Sequence, residues 1–337
     1  MDDALHTNCS IFPNSLHANS SLPVNASNTN SSLLPAYTQT NLWAWTIVEL
    51  VINAIGAGSN AMLLAASLIY PPLRRNSSNV LICHCILLDL IMCAISNPGS
   101  ILASQVFNDI LDRTFCLGWG FIRFFTMFLD NWVHAILAVN RFIAVVTPFR
   151  YKYFVQKPFL LLGVAAPWVI VFLICIIPSL DIHHLPRYLP SNQFVGTSVG
   201  CIVNYPVRNA KTNLLIGTFG GFIPSGIAGV CYVAVFIKAR ITLWRRVGDM
   251  GQSFLSRYEM AKILFVCLLW YILSATMPGN FITVASFPLT HLVTRALQFI
   301  SSAVNPVFFI VISQNYRSGF MAVLKCNGSV RTAVGPR

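Results

Sequence analysis

Long apolar stretches without a charged side chain recur along this sequence. A helix needs about 20 apolar residues to cross the roughly 30 Å hydrocarbon core of a bilayer. Six stretches reach or approach that length: Val51–Leu73, Leu90–Asn108, Pro158–Leu180, Thr212–Ile237, Ile263–Thr294 and Ala296–Tyr316. A seventh, weaker stretch between Cys116 and Thr147 is interrupted by Arg123 and Asp130. The pattern predicts an all-α fold of seven transmembrane helices.

The composition agrees with a membrane protein and argues against a soluble enzyme. Of the 337 residues, 55% are hydrophobic and 9% are charged, and the mean hydropathy is +0.67. A soluble domain carries about 25% charged residues. Nucleic-acid binding is not expected, because it needs a continuous basic face and the apolar stretches dominate here. The ten cysteines include no Cys-x-x-Cys pair and no His/Cys metal spacing, so the sequence gives no support to a zinc or redox site.

The basic residues concentrate in alternate loops between the apolar stretches. Sixteen of the 22 Lys and Arg residues fall on one side: Arg74, Arg75, Arg141, Arg150, Lys152, Lys157, Lys238, Arg240, Arg245, Arg246, Arg257, Lys262, Arg317, Lys325, Arg331 and Arg337. The positive-inside rule makes this side cytoplasmic. Membrane topology therefore accounts for the net charge of +12.

The first 43 residues differ in character from the rest of the chain. They contain no Lys or Arg and carry four Asn-x-Ser/Thr sequons, at Asn8, Asn19, Asn25 and Asn30. Sequons on a polar segment fit an extracellular, glycosylated tail. We predict this tail over residues 1–43, a transmembrane domain over 44–313 and a cytoplasmic segment over 314–337. The protein is expected to be a multi-pass protein of the plasma membrane with its N-terminus outside.

Polar residues and prolines inside the predicted helices recur in a fixed order. They comprise Asn60, Leu87-Leu88-Asp89-Leu90, Cys116, Asn140-Arg141-Phe142, Trp168, Pro224, Tyr232, Ser301 to Phe309 with Asn305-Pro306, and Gln314 to Phe320. Their order and spacing resemble those of the rhodopsin-like (class A) G-protein-coupled receptors from about residue 44 to residue 326. The resemblance implies a seven-helix bundle with a short amphipathic helix 8. It also implies an extracellular ligand, a heterotrimeric G protein and arrestin as partners.

The sequence departs from the family pattern at three places. Asn140 stands where the family has an acidic residue, Trp270 is not followed by the family's proline, and Phe309 replaces a tyrosine. The Asn-Arg pair is shared with melatonin-type receptors and some invertebrate relatives. The three departures in helices 3, 6 and 7 leave a signalling-silent, receptor-like scaffold open as an alternative. A seven-helix transporter or channel is a further alternative, although no internal inverted repeat is visible.

The resemblance also implies roles for single residues. It pairs Cys116 with Cys201 in a disulfide, the alternatives being a Cys9–Cys201 pair or a free thiol. The expected G-protein switch comprises Asn140, Arg141, Tyr232, Asn305, Pro306 and Phe309. Cys326 is an acylation candidate, with an unmodified cytosolic thiol as the alternative. No retinal is expected, because Phe299 stands six residues before Asn305, where the family's Schiff-base lysine would lie.

A polar cavity is the expected cation site. The resemblance assigns Asp89 to Na⁺, with Asn60, Ser301 and Asn305 as neighbours and Asp130 lining the same cavity. Two carboxylates in one dry cavity cannot both ionise cheaply without a cation. Either the cavity binds Na⁺ strongly, or one aspartate is protonated, with Asp130 hydrogen-bonding a neighbouring helix. Apart from Na⁺, no cofactor or metal is expected.

A ligand pocket is expected nearer the extracellular side. Its candidate residues are Arg123, Met127, Trp270, His291, Arg295 and Gln298. Arg123 lies eighteen residues before Arg141, where amine receptors carry an aspartate. An arginine there favours an anionic ligand group, such as a carboxylate, a phosphate or a peptide C-terminus. For Arg295, a structural ion pair with Glu49 is the alternative to a ligand contact.

Overall fold

The computed structural model describes residues 36–74, 79–105, 113–179, 187–190, 201–204, 215–245, 262–270, 272–273 and 288–325. The predicted sequons at Asn8, Asn19, Asn25 and Asn30 and the acylation candidate Cys326 lie outside these residues.

The described residues form eight main helices, numbered here in chain order. They are α1 (Ala36–Ile69), α2 (Asn79–Ile91, a π-helical turn at Met92–Ser96, and Asn97–Gln105), α3 (Arg113–Val146), α4 (Lys157–Ser179), α5 (a π-helical turn at Thr218–Phe222 and Ile223–Arg245), α6 (262–270), α7 (Pro288–Ile312) and α8 (Gln314–Leu324). Two short helices, Pro71–Arg74 and Pro148–Phe154, follow α1 and α3.

Helices α1 to α5 are each long and apolar enough to cross a bilayer. Their apolar spans are Trp43–Ile69, Asn79–Ala103, Gly118–Val146, Lys157–Ile176 and Leu215–Ala239. Residues Ala296–Ile312 of α7 form a sixth candidate together with α8, which is bent by 107° from α7. Large apolar side chains point outward from these helices, among them Ile55, Leu161, Val230 and Val311. Such an apolar exterior is suited to contact with lipid.

Several helices differ in extent from the predicted apolar stretches. Helix α1 begins at Ala36, and Glu49 lies buried within it rather than before it. The weakest stretch by composition, between Cys116 and Thr147, agrees closely with the 34-residue helix α3, in which Asp130 is buried inside the bundle. Helix α7 begins at Pro288, well before the predicted start, since proline is favoured in the first helical turn.

Each π-helical turn ends two residues before a proline. In α2, the N–H of Asn97 donates to the carbonyl of Met92, and Pro98 follows. In α5, the N–H of Ile223 donates to the carbonyl of Thr218, and Pro224 follows. A proline has no N–H and its ring crowds the carbonyl four residues earlier, so the wider turn relieves the clash. Pro98 is therefore accommodated in a continuous α2.

The carbonyl groups near the α5 π turn bond to side chains of α3. The Nδ2 of Asn131 donates to the carbonyl of Gly220 at 3.1 Å. The Nε1 of Trp132 donates to the carbonyl of Phe219 at 3.0 Å. Backbone groups in a bilayer need partners within the protein, so these two bonds link α3 to α5.

The connection between α4 and α5 contains a short antiparallel ribbon. Strand β1 is Arg187–Pro190 and strand β2 is Cys201–Asn204, with Arg187 opposite Asn204 and Pro190 opposite Cys201. Both strands pack beside α3, the helix that carries Cys116. The prediction of an all-α bundle did not include this ribbon, because strands of four residues leave little signal in a pattern of apolar positions.

Close helix contacts depend on small residues at the interfaces. A β-carbon at Gly56 of α1 would lie 2.5 Å from the β-carbon of Ala303 in α7. A β-carbon at Gly220 would lie 2.6 Å from the ring of Phe128 in α3. Small residues let helix backbones approach closely in membranes. The same interfaces position the polar groups described next.

Candidate functional site

A carboxylate in α2 and an amide in α7 form the centre of the polar interior. The Nδ2 of Asn305 lies 2.9 Å from both carboxylate oxygens of Asp89, and Ser302 donates a further hydrogen bond to this carboxylate. All three residues are buried. These hydrogen bonds satisfy polar groups that are buried away from solvent. They hold α2 against α7 at the predicted cation site.

A second set of amides joins α1, α2 and α7. The Nδ2 of Asn97 donates to the Oδ1 of Asn53 at 2.9 Å and to the carbonyl of Phe299 at 3.0 Å. The Nδ2 of Asn60 donates to the carbonyls of Gly56 and Ser302 at 2.9 and 3.2 Å. Asn60 is therefore turned toward backbone groups of α1 and α7. Asn53 and Asn97 were not among the predicted site residues.

Beside Asp89, a thiol and an imidazole form a cluster with the second carboxylate. The Sγ of Cys85 lies 3.2 Å from the Nε2 of His134. That same nitrogen lies 3.6 Å from the Oδ1 of Asp130. Sulfur, nitrogen and oxygen atoms of Cys85, His134 and Asp89 all lie within 4.8 Å of one another.

The cluster contains two residues that the sequence analysis did not assign to it. Neither Cys85 nor His134 was selected as a candidate site residue. The signal was present, because Cys85 precedes Asp89 by four residues and Asp130 precedes His134 by four. Residues four apart share a helix face, so each predicted carboxylate had a metal-binding neighbour in its own helix.

A cavity opens beside this cluster, between α3, α5, α6 and α7. Its lining includes Asp130, His134, Pro224, Cys267, Ser301 and Asn305. The cavity has a volume of about 20 Å³, which is enough for one water molecule or a small ion. Of the predicted sodium ligands, Asp130, Ser301 and Asn305 line the cavity, and Asp89 is bonded to Asn305. The hydroxyl of Ser301 donates to the carbonyl of Gln298 at 2.8 Å.

The predicted ligand pocket is described only in part. The guanidinium carbon of Arg123 in α3 lies 5.6 Å from the ring centre of Phe299 in α7. Met127, one turn along α3 from Arg123, packs against the hydrophobic core. The ring of Trp270 meets that of Phe308 edge-on, with centres 6.5 Å apart. Gln298 is half-buried in α7. His291 and Arg295 belong to α7, but their side chains lie outside the described part of the structure.

The predicted G-protein switch lies toward the end of α3 that carries Arg141. Arg141 and Tyr232 are each 1% exposed, and Asn140 is also buried. Helix α7 continues through Pro306 to Phe309, whose ring packs edge-on against Tyr316 of α8 with centres 5.0 Å apart. Burial raises the pKa of the Tyr316 phenol, and the nearby Arg141 guanidinium opposes that rise. The structure thus brings Arg141 near α8 as well as near α5.

The predicted disulfide joins two elements that lie side by side. Cys116 is a residue of α3, and Cys201 begins β2, which packs beside α3. Both side chains lie outside the described part of the structure. Their pairing therefore stays a prediction. Six other cysteines, Cys83, Cys85, Cys93, Cys175, Cys231 and Cys267, are free thiols.

A family comparison identifies the bundle that carries these sites. The profile of the family described as 7 transmembrane receptor (rhodopsin family) matches residues 59–309. The chain belongs to this family. The receptor is thus a class A G-protein-coupled receptor with a seven-helix bundle, as its motifs indicated. Members of this family are receptors and not enzymes, and the transporter alternative is not favoured.

Proteins similar to this receptor include a galanin receptor, a QRFP-like peptide receptor and a melanopsin. It is 22% identical to galanin receptor 2a of Danio rerio over 311 residues, which cover 84% of this chain and 80% of that protein. It is 22% identical to the QRFP-like peptide receptor of Branchiostoma floridae over 302 residues, or 83% and 77% of the two chains. It is 23% identical to melanopsin-B of Xenopus laevis over 297 residues, which cover 82% of this chain but only 54% of melanopsin-B.

Proposed function

We propose that this receptor resides in the plasma membrane with its N-terminus outside and responds to an extracellular peptide or other anionic ligand. A heterotrimeric G protein receives the signal at the opposite end of the bundle, and arrestin engages the same end. The names of the galanin and QRFP-like receptors support a peptide ligand for this chain. The absence of a lysine at Phe299 argues against retinal, despite the similarity to melanopsin-B.

The position of Arg123 carries the proposal of an anionic group. Its guanidinium is half-buried between α3 and α7, one turn of α3 from the candidate pocket residue Met127. Contact with the Phe299 ring holds the cation in this region, and a guanidinium carries five N–H donors. Arginine binds carboxylates through two parallel hydrogen bonds. A carboxylate at the end of a peptide is the ligand group that fits this arrangement.

Signal transfer is proposed to run through the buried polar residues to Arg141. Asn305 joins the Asp89 carboxylate to the part of α7 that contains Phe309. We infer that Asn140, Arg141, Tyr232, Pro306 and Phe309 form the switch at the cytoplasmic end. The proposed Cys116–Cys201 disulfide would hold β2 over α3. We further propose that the N-terminal tail is glycosylated and that Cys326 is acylated.

The test compares peptide agonists that differ only in their C-terminus. Each agonist found by a G-protein dissociation screen is made as a free acid and as an amide. A hydrogen bond to a charged group contributes about 1.5–3 kcal/mol, so Arg123→Ala should weaken the acid about tenfold to a hundredfold. Arg123→Lys keeps the charge but loses the planar guanidinium that binds a carboxylate through two hydrogen bonds. We therefore expect an intermediate loss of affinity for the acid. The amide should be much less sensitive.

Binding is measured per receptor at the cell surface, using an N-terminal epitope in intact cells. The epitope also tests the orientation, because it is accessible only if the N-terminus is outside. If Arg123→Ala loses the same affinity for the free acid as for the amide, the proposed contact with a carboxylate is contradicted. A purely structural role of Arg123 predicts reduced surface expression with unchanged affinity. Absence of G-protein dissociation with every agonist that binds would favour the scaffold alternative.

A further inference from the structure

We propose that Cys85, Asp89, Asp130 and His134 form a binding site for a transition-metal ion of the zinc class inside the bundle. The site lies between α2 and α3, at the position where the family resemblance implies Na⁺. It differs from a sodium site because a thiol and an imidazole stand beside the two carboxylates. The inference concerns metal binding alone and does not depend on the ligand proposed above.

The distances within the cluster match a tetrahedral zinc site. Zinc bonds of about 2.3 Å to sulfur and about 2.0–2.2 Å to nitrogen or oxygen place neighbouring ligand atoms roughly 3.3–3.6 Å apart. The Cys85 Sγ to His134 Nε2 distance is 3.2 Å, and the His134 Nε2 to Asp130 Oδ1 distance is 3.6 Å. Asp89 lies within 4.8 Å of the cysteine and histidine atoms. A side-chain movement of about 1 Å would bring Asp89 to bonding distance.

The donor atoms favour zinc over sodium. Ions such as Mg²⁺ and Ca²⁺ prefer ligands made only of oxygen, whereas thiolate and imidazole select zinc and similar ions. Cys85 would release its proton when the ion binds. A divalent cation would then offset most of the negative charge of one thiolate and two carboxylates.

Two further observations support a site that is built for an ion. The Oδ1 of Asp130 is buried and accepts no hydrogen bond from the described residues, and its carboxylate lines the cavity. A buried carboxylate oxygen without a donor is costly unless a cation balances it. Asn305 orients Asp89 through both of its oxygens, as residues around metal ligands commonly do. The cavity beside His134 gives a small ion or water room at the site.

Cobalt provides a spectroscopic test on the purified full-length receptor in lipid nanodiscs. The protein is stripped with a chelator and titrated with Co²⁺. We expect one equivalent to bind, with the strong visible absorption of tetrahedral Co²⁺ and a thiolate-to-cobalt band in the near ultraviolet. Zn²⁺ should displace the Co²⁺ and abolish both signals.

Matched variants test the assignment of the ligands. Cys85→Ser should remove the thiolate band and weaken Co²⁺ binding at least about tenfold, and His134→Gln should weaken it similarly. Cys83→Ser is the cysteine control, because Cys83 is not part of the cluster. His84→Gln is the histidine control, since the Nε2 of His84 accepts a hydrogen bond from Trp168 at 3.0 Å. Both controls should bind Co²⁺ as the parent does.

Several outcomes would overturn the proposal. Weak octahedral absorption without a thiolate band would indicate a site of oxygen ligands only, of the kind that takes Na⁺. Absence of Co²⁺ binding by the parent protein would exclude the site. Equal losses of Co²⁺ affinity in Cys83→Ser and Cys85→Ser would contradict the assignment of Cys85 as a ligand. Each variant is compared by size-exclusion profile first, and the parent spectrum decides the question if a variant does not fold.

Discussion

Replacing Asn131 by alanine should destabilise the receptor, because it removes the donor that serves the carbonyl of Gly220. Pro224 stands four residues after Gly220 and has no N–H, so the donor that an α-helix would place there is missing. The Asn131 Nδ2 donates from α3 at 3.1 Å, and Asn131 is buried. Hydrogen bonds between membrane helices contribute about 0.6 kcal/mol on average and up to about 1.7 kcal/mol.

We expect a cost near the upper end of that range, about 1–1.7 kcal/mol, since the buried carbonyl loses its donor from α3. At about 2–4 °C for each kcal/mol, the midpoint of thermal unfolding should fall by about 2–7 °C. The assay is thermal unfolding of the purified receptor in detergent. Asn315→Ala, at an exposed position of α8, controls for the loss of an amide.

The proline allows a double-mutant cycle. In a Pro224→Ala background, the new N–H of residue 224 can donate to the Gly220 carbonyl. Asn131→Ala should then cost less than half of what it costs in the parent protein. An equal cost in both backgrounds, or no cost in the parent, would refute the assignment of Asn131 as the replacement donor.

Three other predictions follow from the packing and from the family pattern. Gly56→Ala should destabilise the receptor by about 1–3 kcal/mol through overpacking against α7, whereas Gly58→Ala, which meets no atom within 4 Å, should not; equal thermal midpoints would contradict this. Asn140→Asp restores an acid beside the buried arginine and should lower agonist-free signalling about fivefold for each kcal/mol gained, so an unchanged or higher basal level counts against it. Serine at Cys116 or Cys201 should reduce surface expression or ligand response, and parent-like behaviour of both variants would exclude the disulfide.

Much of the bundle follows from the sequence, because a membrane span depends on the length of an apolar run. The fourth predicted span, Pro158–Leu180, differs by one residue at each end from α4 (Lys157–Ser179). The third span was hardest to recognise, because charges that are buried between helices resemble charges that end a helix. The π turns before Pro98 and Pro224 were not predicted, since a proline alone does not decide between a broken and a widened helix.

The candidate sites were predictable where the family motif fixes the residue. Asp89 and Asn305 lie 216 residues apart and were expected to be neighbours, and they are hydrogen-bonded. Cys85 and His134 lie 49 residues apart, and no motif joins them. Their contact depends on how α2 rotates against α3, which the sequence of either helix leaves undetermined. The partners of Asn53 and Asn97 were missed for the same reason.

The packing of α8 against α1 and α7 makes α8 a reference point for measuring motion of other helices in the receptor. A β-carbon at Gly319 would lie within 3.4 Å of Ala66, Leu73 and Tyr70, while Tyr316 packs against Phe309. Helix α8 is thus attached at once to α7 and to the chain at the end of α1. Its exposed side chains, such as Ser318, can carry a spectroscopic label without disturbing those contacts. A second label can be placed on Ile241, which is exposed near the end of α5. The distance between the two labels would then measure how far α5 moves relative to α8, α1 and α7.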